Sequence, residues 1–375
     1  MHILHVVGAR PNFMKAAPVL RAFAAHIDVS QAVIHTGQHY DAQLSVVFFD
    51  QLGIPRPDVN LHVGSGSHAQ QTAQVMSRLE PVLLQHAPDW VLVYGDVNST
   101  AAAALVCAKL QVRVAHVEAG LRSFDRSMPE EINRIVTDHV ADLLLTPSSD
   151  GNDNLLREGI APERIHLVGN VMIDTLLRLL PLAQSHRVSG LPDRYALVTL
   201  HRPANVDEGP FLRDFLDTLG DLSQDLPVIF PVHPRTRRRI ANLHLARNGK
   251  NHLHVTDPLS YLEFLALQES ATVVITDSGG IQEETTFLGV PCLTVRENTE
   301  RPVTVTLGSN VLVGRDLHRL RQEIQKIVNG RRPETRVPPL WDGHAAERIV
   351  SELLSLDTLC QGLALAKRAT GSSTT

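Results

Sequence analysis

The sequence predicts an α/β protein with two halves, each built on a parallel sheet whose strands are joined by crossover helices. Short runs of β-branched residues alternate with helix-length amphipathic segments along the chain, as in repeated β-α-β units. The pattern restarts after a helix and polar stretch at 177–189 and a Gly-Leu-Pro turn at 190–192. At 375 residues the chain is long enough for two such domains.

Several apolar segments have the length and composition of buried parallel strands. In the first half they are 3–7, 32–36, 91–94, 114–117, 143–146 and 165–168. In the second half they are 196–200, 228–232, 253–256, 273–276, 292–295 and 311–313. We therefore predict domains at 1–175 and 176–350, followed by a helical segment from 351 whose polar end at 371–375 is disordered.

Composition narrows the classes of function. The formal net charge of −5 and the 4% aromatic content argue against nucleic acid as the main partner. Cys107, Cys292 and Cys360 show neither metal-ligand spacing nor a disulfide framework, which fits a reducing compartment. No signal peptide precedes the first strand, and no stretch reaches the ~20 apolar residues of a membrane helix. We expect a soluble, cytoplasmic protein that does not bind membranes.

Carboxylates and arginines gather after the predicted strands of the first half, where open α/β sheets bind ligands. Asp96 alternatively caps the alanine-rich helix that follows it. Glu130 alternatively is a first-turn acid favoured by a helix dipole, as is its neighbour Glu131. Glu118 ends an apolar strand close to the cation of Arg122, and a cap does not explain it. Together the three carboxylates indicate acid–base chemistry.

The Gly-Ala-Arg-Pro segment at 8–11 turns the chain tightly from the first strand into a helix. Arg10 and Lys15 then lie near a helix N-terminus, where anions are favoured. An ordinary turn with surface cations explains the same residues equally well. The segment lacks the G-x-G-x-x-G pattern, so a nicotinamide cofactor is not indicated.

In the second half, Ser278, Gly279 and Gly280 follow a buried strand and precede an amphipathic helix. Backbone N–H groups at such a turn bind phosphate oxygens, whereas a serine cap needs no glycine pair; phosphate binding is therefore the favoured interpretation. Glu284, further along this helix, is expected to accept hydrogen bonds from ribose hydroxyls. His201 and His233 end successive strands, and two such histidines indicate a ligand site more strongly than one.

Taken together, these segments resemble the non-hydrolysing UDP-N-acetylglucosamine 2-epimerases. The match continues through Thr-Gly-Gln-His at 36–39, Gly-Asn at 169–170, Pro-Val-His-Pro at 231–234 and Thr-Glu-Arg-Pro at 299–302, covering nearly the whole chain in order. The resemblance implies two Rossmann-like domains of the glycosyltransferase-B type, with the active site in the interdomain cleft. It also implies a homodimer and a C-terminal helix that returns to the first domain.

The resemblance assigns site residues one by one. The implied catalytic residues are Asp96, Glu118, Glu130 and His201. The substrate-binding residues expected from the motifs and the resemblance are Arg10, Lys15, Arg134, His233, Phe264, Ser278, Gly279, Gly280, Glu284 and Arg301. The implied reaction is elimination of UDP to give 2-acetamidoglucal, followed by re-addition with the C2 proton returned to the other face. It requires no metal or redox cofactor, and the sequence leaves open which carboxylate is the base.

Two departures bear on substrate and regulation. The segment at 70–72 reads Gln-Gln-Thr where substrate-activated relatives have Arg-Gln-Thr, so that form of activation is not implied. Segments 94–100 and 121–128 also resemble relatives that epimerise UDP-2,3-diacetamido-glucuronic acid, whereas 299–302 has the form of the N-acetylglucosamine enzymes, which favours the simpler substrate. A hydrolysing epimerase, a glycosyltransferase of the same fold and a non-catalytic sugar-nucleotide sensor are the alternatives. The presence of all three carboxylates favours an enzyme.

Overall fold

The computed structural model describes the chain except residues 38–51, 187–189, 243–251 and 372–375; for residue 235 and residues 359–371 it describes the backbone alone. It separates into two compact units. Unit 1 comprises Met1–Thr175 together with Pro339–Thr375, and unit 2 comprises Leu176–Pro338. Of the predicted disordered tail at 371–375, Gly371 is the last residue of a helix and 372–375 lie outside the described residues, as does part of the Thr-Gly-Gln-His motif at 36–39.

Unit 1 contains a seven-stranded sheet in the order β3-β2-β1-β4-β5-β6-β7, with all neighbouring pairs parallel. Its strands are β1 (His2–Val7), β2 (Ser30–His35), β3 (Val59–Asn60), β4 (Trp90–Tyr94), β5 (Val114–Val117), β6 (Leu143–Thr146) and β7 (Ile165–Leu167). Its helices, of which the last continues into unit 2, are α1 (Arg10–Ala24), α2 (His68–His86), α3 (Asn98–Leu110), α4 (Pro129–Val140), α5 (Ser149–Arg157) and α6 (Val171–Gln184).

The small side chains of α3 bring this helix close to the middle of the sheet. Ala102, Ala103 and Ala104 are fully buried, and the helix packs against β1, β4 and β5. Thr100 in its first turn donates a hydrogen bond to the Tyr94 carbonyl over 2.8 Å. The start of α3 is thereby held at the carboxyl end of β4, beside the polar residues that follow that strand.

Unit 2 contains a six-stranded parallel sheet in the order β10-β9-β8-β11-β12-β13. Its strands are β8 (Ala196–Thr199), β9 (Val228–Pro231), β10 (Leu253–Thr256), β11 (Val273–Thr276), β12 (Cys292–Thr294) and β13 (Asn310–Leu312). Its helices are α7 (Pro203–Val206), α8 (Gly209–Leu222), α9 (Pro234–Asn242), α10 (Tyr261–Ser270), α11 (Gly279–Leu288), α12 (Val303–Thr306) and α13 (Leu317–Val328).

The predicted α/β fold class, with two Rossmann-like parallel sheets, is confirmed. Every predicted strand segment coincides with an observed strand whose ends differ by at most two residues. The sequence prediction lacks β3, which has only two residues and therefore no readable periodicity.

The chain from Pro339 onward belongs to unit 1, so the second compact unit ends at Pro338 rather than at the predicted residue 350. Hydrogen bonds join this C-terminal segment to residues of unit 1. The Trp341 indole donates to the Pro147 carbonyl over 2.9 Å, and the Asp174 carboxylate accepts the backbone N–H groups that begin α14 (Ala345–Gly371). Burial raises the pKa of Asp174 despite these bonds.

The helix α14 packs against α1 of the same unit through an apolar face. Ile349, Val350 and Leu353 on this face are buried. Among the residues that the structure describes, no helix has both the length and the apolar composition needed to cross a membrane.

Candidate active site

The predicted site residues follow adjacent central strands in both sheets. In unit 1, the strand order reverses between β1 and β4, and Arg10 and Asp96 follow these two strands. In unit 2, the corresponding reversal lies between β8 and β11, which are followed by His201 and Ser278. Loops diverge at such a point and leave room for a ligand at the carboxyl edge of the sheet.

A glycine is required where the chain leaves β4. Gly95 has a φ of +63°, which L side chains rarely adopt. A Cβ atom added there would lie 2.6 Å from Lys15 Nζ and 3.0 Å from Glu118 Oε2. The backbone of β4 therefore passes directly beside an ion pair that joins α1 to the end of β5.

This ion pair links Lys15 and Glu118, and both side chains are almost completely buried. Glu118 has a φ of +71° and donates its backbone N–H to the Leu145 carbonyl over 3.0 Å. A non-glycine residue in this conformation costs of order 1–3 kcal/mol and persists only where the surrounding structure holds it. Both the strained backbone and the buried cation thus fix the position of this carboxylate.

The cation beside Glu118 is Lys15, so the sequence interpretation that paired Glu118 with Arg122 was wrong. The Arg122 guanidinium instead binds Glu158 through two 2.7 Å hydrogen bonds and Asp138 through a third of 2.7 Å. Gly120, with a φ of +80°, reverses the chain between Glu118 and Arg122 and directs the arginine to a different set of partners.

Asp96 does not cap the following helix, because α3 begins at Asn98 with Val97 as its N-cap and no side-chain capping bond. Its carboxylate instead binds the buried guanidinium of Arg134. The Asn133 side chain donates to the Asp96 carbonyl over 2.9 Å, so α4 holds both the backbone and the side chain of Asp96.

Glu131 is a structural acid that the sequence analysis did not assign to the site. It binds Arg134 and accepts hydrogen bonds from the backbone N–H groups of Ser123 and Phe124, each over 2.9 Å. Burial opposes its ionisation, but these donors lower the pKa of Glu131. The neighbouring Glu130 is half-buried, and among the described residues it makes no side-chain hydrogen bond or ion pair. Glu131 thus holds the loop at Ser123 and Phe124 in place, whereas the carboxylate of Glu130 is available for acid–base chemistry.

In unit 2, the central polar pair is His201 and Asp277. The His201 Nδ1 atom lies 2.7 Å from Asp277 Oδ1, and 61% of the His201 side chain is exposed. Asp277 is fully buried and also accepts hydrogen bonds from the Arg202 backbone N–H and the Asn205 side chain, each over 2.9 Å. Burial opposes ionisation, yet the contacts with His201 and Asn205 lower the pKa of Asp277. The carboxylate therefore orients the imidazole and leaves its other edge accessible.

The turn after β11 begins α11 without a side-chain cap. Ser278 occupies the N-cap position, but its hydroxyl makes no capping bond, contrary to the alternative interpretation of this serine. A Cβ atom at Gly279 would collide with the guanidinium of Arg301 and lie 2.6 Å from Glu300 Oε1. Gly279 is therefore also required for side-chain packing, a reason that the sequence analysis did not provide. Arg301 is buried beside Glu283 at 2.9 Å.

Glu284 lies one helical turn further along α11 and is 3% exposed. The Tyr261 hydroxyl donates a 2.8 Å hydrogen bond to it, and burial raises the pKa of Glu284 to about 7. Phe264 is half-buried on α10, on the same side of the sheet, within an apolar cluster. His233 is exposed just before α9.

The structure divides the predicted residues between the two units. Unit 1 carries Arg10, Lys15, Asp96, Glu118, Glu130 and Arg134, and unit 2 carries His201, His233, Phe264, Ser278, Gly279, Gly280, Glu284 and Arg301. Within the described part of the chain, no group of three or more His, Cys, Asp or Glu side chains is placed to hold a metal ion.

Comparison with known proteins places this arrangement in a family. The sequence matches the family model of UDP-N-acetylglucosamine 2-epimerase over residues 21–354. It is 41% identical to the UDP-N-acetylglucosamine 2-epimerase of Methanocaldococcus jannaschii, covering 93% of this chain and 98% of that protein. It is 45% identical to the UDP-2,3-diacetamido-2,3-dideoxy-D-glucuronate 2-epimerase of Pseudomonas aeruginosa, covering 84% of this chain and 88% of that protein.

Comparison with solved structures leads to the same family. The crystal structure of the M. jannaschii UDP-GlcNAc 2-epimerase in complex with UDP-GlcNAc and UDP matches with a TM-score of 0.86 and 40% identity, over 95% of this chain and all of that chain. A galactosyltransferase of the lipopolysaccharide outer core matches with a TM-score of 0.53 at 12% identity, over 94% of this chain and 99% of that one, which is a likeness of fold alone. The chain therefore belongs to the UDP-N-acetylglucosamine 2-epimerase family.

Proposed function

We propose that this protein reversibly converts UDP-N-acetylglucosamine to UDP-N-acetylmannosamine by inverting C2 without hydrolysis. The observation that carries this proposal is the buried Lys15–Glu118 pair beside Gly95, within a chain that belongs to this family. Asp96 follows the neighbouring strand, and Glu130 begins the helix that binds Asp96. Carboxylates supported in this way suit a reaction whose central event is proton transfer at carbon.

The chemistry explains the need for an anionic leaving group. The C2 proton of the sugar is not next to a carbonyl and is hardly acidic. As the C1–O bond breaks, positive charge develops at C1, and the C2 proton can then be removed. UDP leaves with the bonding electron pair, giving 2-acetamidoglucal. In the return step UDP re-forms the bond to C1 while a proton is delivered to the opposite face of C2.

In this proposal unit 1 supplies the acid–base groups. Glu118, Asp96 and Glu130 share the tasks of removing the proton from one face and returning it to the other. Arg134 holds Asp96 in place, and Lys15 holds Glu118. Microscopic reversibility requires that the group acting as base in one direction act as acid in the other.

Unit 2 is proposed to bind and stabilise the leaving diphosphate. The uncapped first turn of α11, with Ser278 and its two glycines, offers backbone N–H groups of the kind that bind phosphate. His201, held by Asp277, and Arg301 supply hydrogen-bond donors that suit the charge on the departing UDP. Arg10 of unit 1 and His233 are proposed to contact the same group.

The nucleoside is proposed to lie against α10 and α11. Glu284, when ionised, accepts hydrogen bonds from the ribose hydroxyls, and Phe264 offers an aromatic face to the uracil ring. Both residues are on helices that pack together in unit 2.

A second candidate substrate is UDP-2,3-diacetamido-glucuronate. The specific observation in its favour is the 45% identity to the P. aeruginosa enzyme of that name. The Thr-Glu-Arg-Pro segment at 299–302 supports the simpler sugar. The ratio of kcat/KM for the two UDP-sugars decides between them: a higher value for the uronate would replace the proposed substrate and retain the proposed epimerisation.

We also propose that the enzyme acts as a cytoplasmic homodimer, as the resemblance to the family implies. Light scattering coupled to size-exclusion chromatography tests the assembly. A mass near twice 41.2 kDa supports the dimer, and a monomer mass at assay concentration contradicts it.

Product analysis tests the reaction itself. The purified protein is incubated with UDP-N-acetylglucosamine, and the sugar nucleotides are separated by anion-exchange chromatography. We expect the two UDP-sugars to reach the same ratio from either starting compound, with negligible release of free sugar. Stoichiometric UDP and N-acetylmannosamine would instead identify a hydrolysing enzyme, and unchanged material from both candidate substrates would favour the sensor.

A further inference from the structure

His116 has a polar environment that the proposed chemistry does not use. It lies in β5 and is fully buried. Its Nδ1 atom lies 2.6 Å from Asp138 Oδ1, and its Nε2 atom lies 2.8 Å from the Gly95 carbonyl oxygen. A carbonyl oxygen only accepts, so Nε2 must carry a hydrogen and donate it.

The second ring nitrogen also faces an acceptor. Asp138 is fully buried on α4 and accepts hydrogen bonds through Oδ2 from the Arg122 guanidinium at 2.7 Å and the Gly120 backbone N–H at 3.1 Å. Burial opposes ionisation, but His116 and Arg122 lower the pKa of Asp138. The Nδ1 atom of His116 and Asp138 Oδ1 therefore share one short hydrogen bond, while Asp138 Oδ2 accepts from Arg122 and Gly120.

The partners of this pair are the turns that carry the candidate catalytic acids. Gly95 directly precedes Asp96, and its N–H is already bonded to the Val117 carbonyl over 3.0 Å. Gly120 lies two residues after Glu118, and its carbonyl accepts a 2.9 Å hydrogen bond from Asn154. With the His116–Asp138 pair in place, Gly95 and Gly120 are each held at both the backbone N–H and the backbone carbonyl.

We propose that the His116–Asp138 pair is a positioning device that sets the relative placement of Asp96 and Glu118. His116 fixes the Gly95 carbonyl, and Asp138 fixes the Gly120 N–H. The helix α4, which carries Asp138, also carries the Arg134 that binds Asp96. One buried hydrogen-bonded unit therefore ties together the ends of β4 and β5 and the helix that begins near Glu130. The pair touches no reacting atom in this scheme, and its catalytic effect rests on the proposed epimerisation.

Two substitutions at His116 separate its two hydrogen bonds. The amide of His116→Gln reaches the position of Nε2 and retains a donor for the Gly95 carbonyl. The amide of His116→Asn reaches the position of Nδ1 and retains a donor for Asp138. We expect His116→Asn to lower kcat about 100-fold, as for a misplaced catalytic group, with KM changed less than threefold. We expect His116→Gln to keep kcat within about tenfold of the wild type, since it retains the bond to Gly95.

The midpoint temperatures of thermal unfolding are measured for both variants. The assays of kcat are then run well below both midpoints, so that loss of folded protein does not explain a lower kcat. Equal losses of kcat in the two variants, or no loss in either, would overturn the positioning role. An independent readout uses the ligand-free enzyme with ¹⁵N-labelled histidine. We expect Nε2 of His116 to carry a proton in the wild type; an unprotonated Nε2 would overturn the hydrogen bond to the Gly95 carbonyl. Absence of turnover in the wild type, with Nε2 of His116 protonated, would instead overturn the proposed function and the catalytic effect that rests on it.

Discussion

The two units have the same sheet topology around their central strands but hold their polar residues in opposite ways. Unit 1 buries its charges in pairs: Lys15 and Glu118 are each about 95% buried. Unit 2 buries Asp277 and uses it to hold His201, whose side chain is 61% exposed. It also leaves the first turn of α11 without a side-chain cap.

This difference separates two physical tasks. A carboxylate that must meet a carbon-bound proton benefits from a fixed position and exclusion of water, which buried ion pairs provide at a cost in desolvation. A site that must take up and release a diphosphate needs accessible donors that are already oriented. We therefore expect substitutions in unit 1 to affect turnover and those in unit 2 to affect affinity.

The largest effect is expected from Glu118→Gln, which keeps the shape of the side chain but removes its ability to accept a proton. We expect kcat to fall about 10³-fold or more, because general acid–base groups contribute typically 10²–10⁴-fold. UDP affinity, measured by calorimetry, should change less than threefold. Glu80→Gln on the exposed face of α2 is the matched control and should retain full activity. Undiminished turnover in Glu118→Gln would remove this residue from the mechanism.

Lys15→Met tests the energetic side of the same pair. We expect Lys15→Met to lower the free energy of unfolding by about 3–5 kcal/mol, as is typical when one partner of a buried ion pair is removed and the other charge is left without compensation. Both tryptophans of the chain, Trp90 and Trp341, lie in unit 1, so urea unfolding followed by tryptophan fluorescence reports on this unit. The double variant with Glu118→Gln should regain part of the loss. A loss of unfolding free energy in the double variant equal to the sum of the losses in the two single variants would show that the pair is not coupled.

These contacts also show what the sequence does and does not reveal. The strands were readable because strands buried on both faces are nearly continuous apolar runs. The ion-pair partner of Glu118 could not be read from the sequence, because Lys15 lies 103 residues away. Arg122 is close to Glu118 in sequence, but the chain turns away from Glu118 at Gly120. A pairing of this kind depends on how helices pack on the sheet, which local sequence does not record.

Some of the missed residues left a signal that could be read. Asp138 recurs at helical spacing with Glu131 and with Arg134, which the sequence analysis did assign, and all three are buried on α4. Opposite charges at this spacing predict ion pairs along one face of the helix, whereas the burial of that face is seen only in the structure. Asp277 was quoted within the Ser-Gly-Gly segment but was not connected to His201, because the two residues follow adjacent strands and are 76 residues apart in the sequence.

Arg10→Ala tests whether unit 1 contributes to affinity as well as to turnover. Arg10 is exposed in the first turn of α1. We expect the Kd for UDP to rise about tenfold, equivalent to about 1.4 kcal/mol, because a charge-assisted hydrogen bond to phosphate is lost. Arg157→Ala on the exposed surface of the same unit is the control. An unchanged Kd in Arg10→Ala would confine diphosphate binding to unit 2.

The smallest effect is expected from Glu284→Gln and depends on pH. Burial raises the pKa of Glu284 from 4.5 to about 7, so the folded protein retains a proton that the unfolded chain has released. The wild type should therefore lose stability between about pH 4.5 and 7, and Glu284→Gln should lose less over this window. UDP affinity of the wild type should rise between pH 6 and 8 as the carboxylate forms and accepts the ribose hydroxyls.

Glu334→Gln, at an exposed position in the same unit, serves as the control for the pH series. An identical pH dependence of UDP affinity in the wild type and Glu284→Gln would exclude Glu284 from ribose binding. A change in the stability profile alone would assign this carboxyl to the fold and not to the ligand.

Proton NMR of the enzyme with UDP-N-acetylglucosamine in deuterated water tests the proposed chemistry most directly, because removal and return of the C2 proton exchange it with solvent. We expect UDP-N-acetylmannosamine to appear with deuterium at C2, and the Glu118→Gln variant to leave the substrate protonated. Conversion with the original proton retained at C2, or release of free N-acetylmannosamine and UDP, would contradict the proposed reaction.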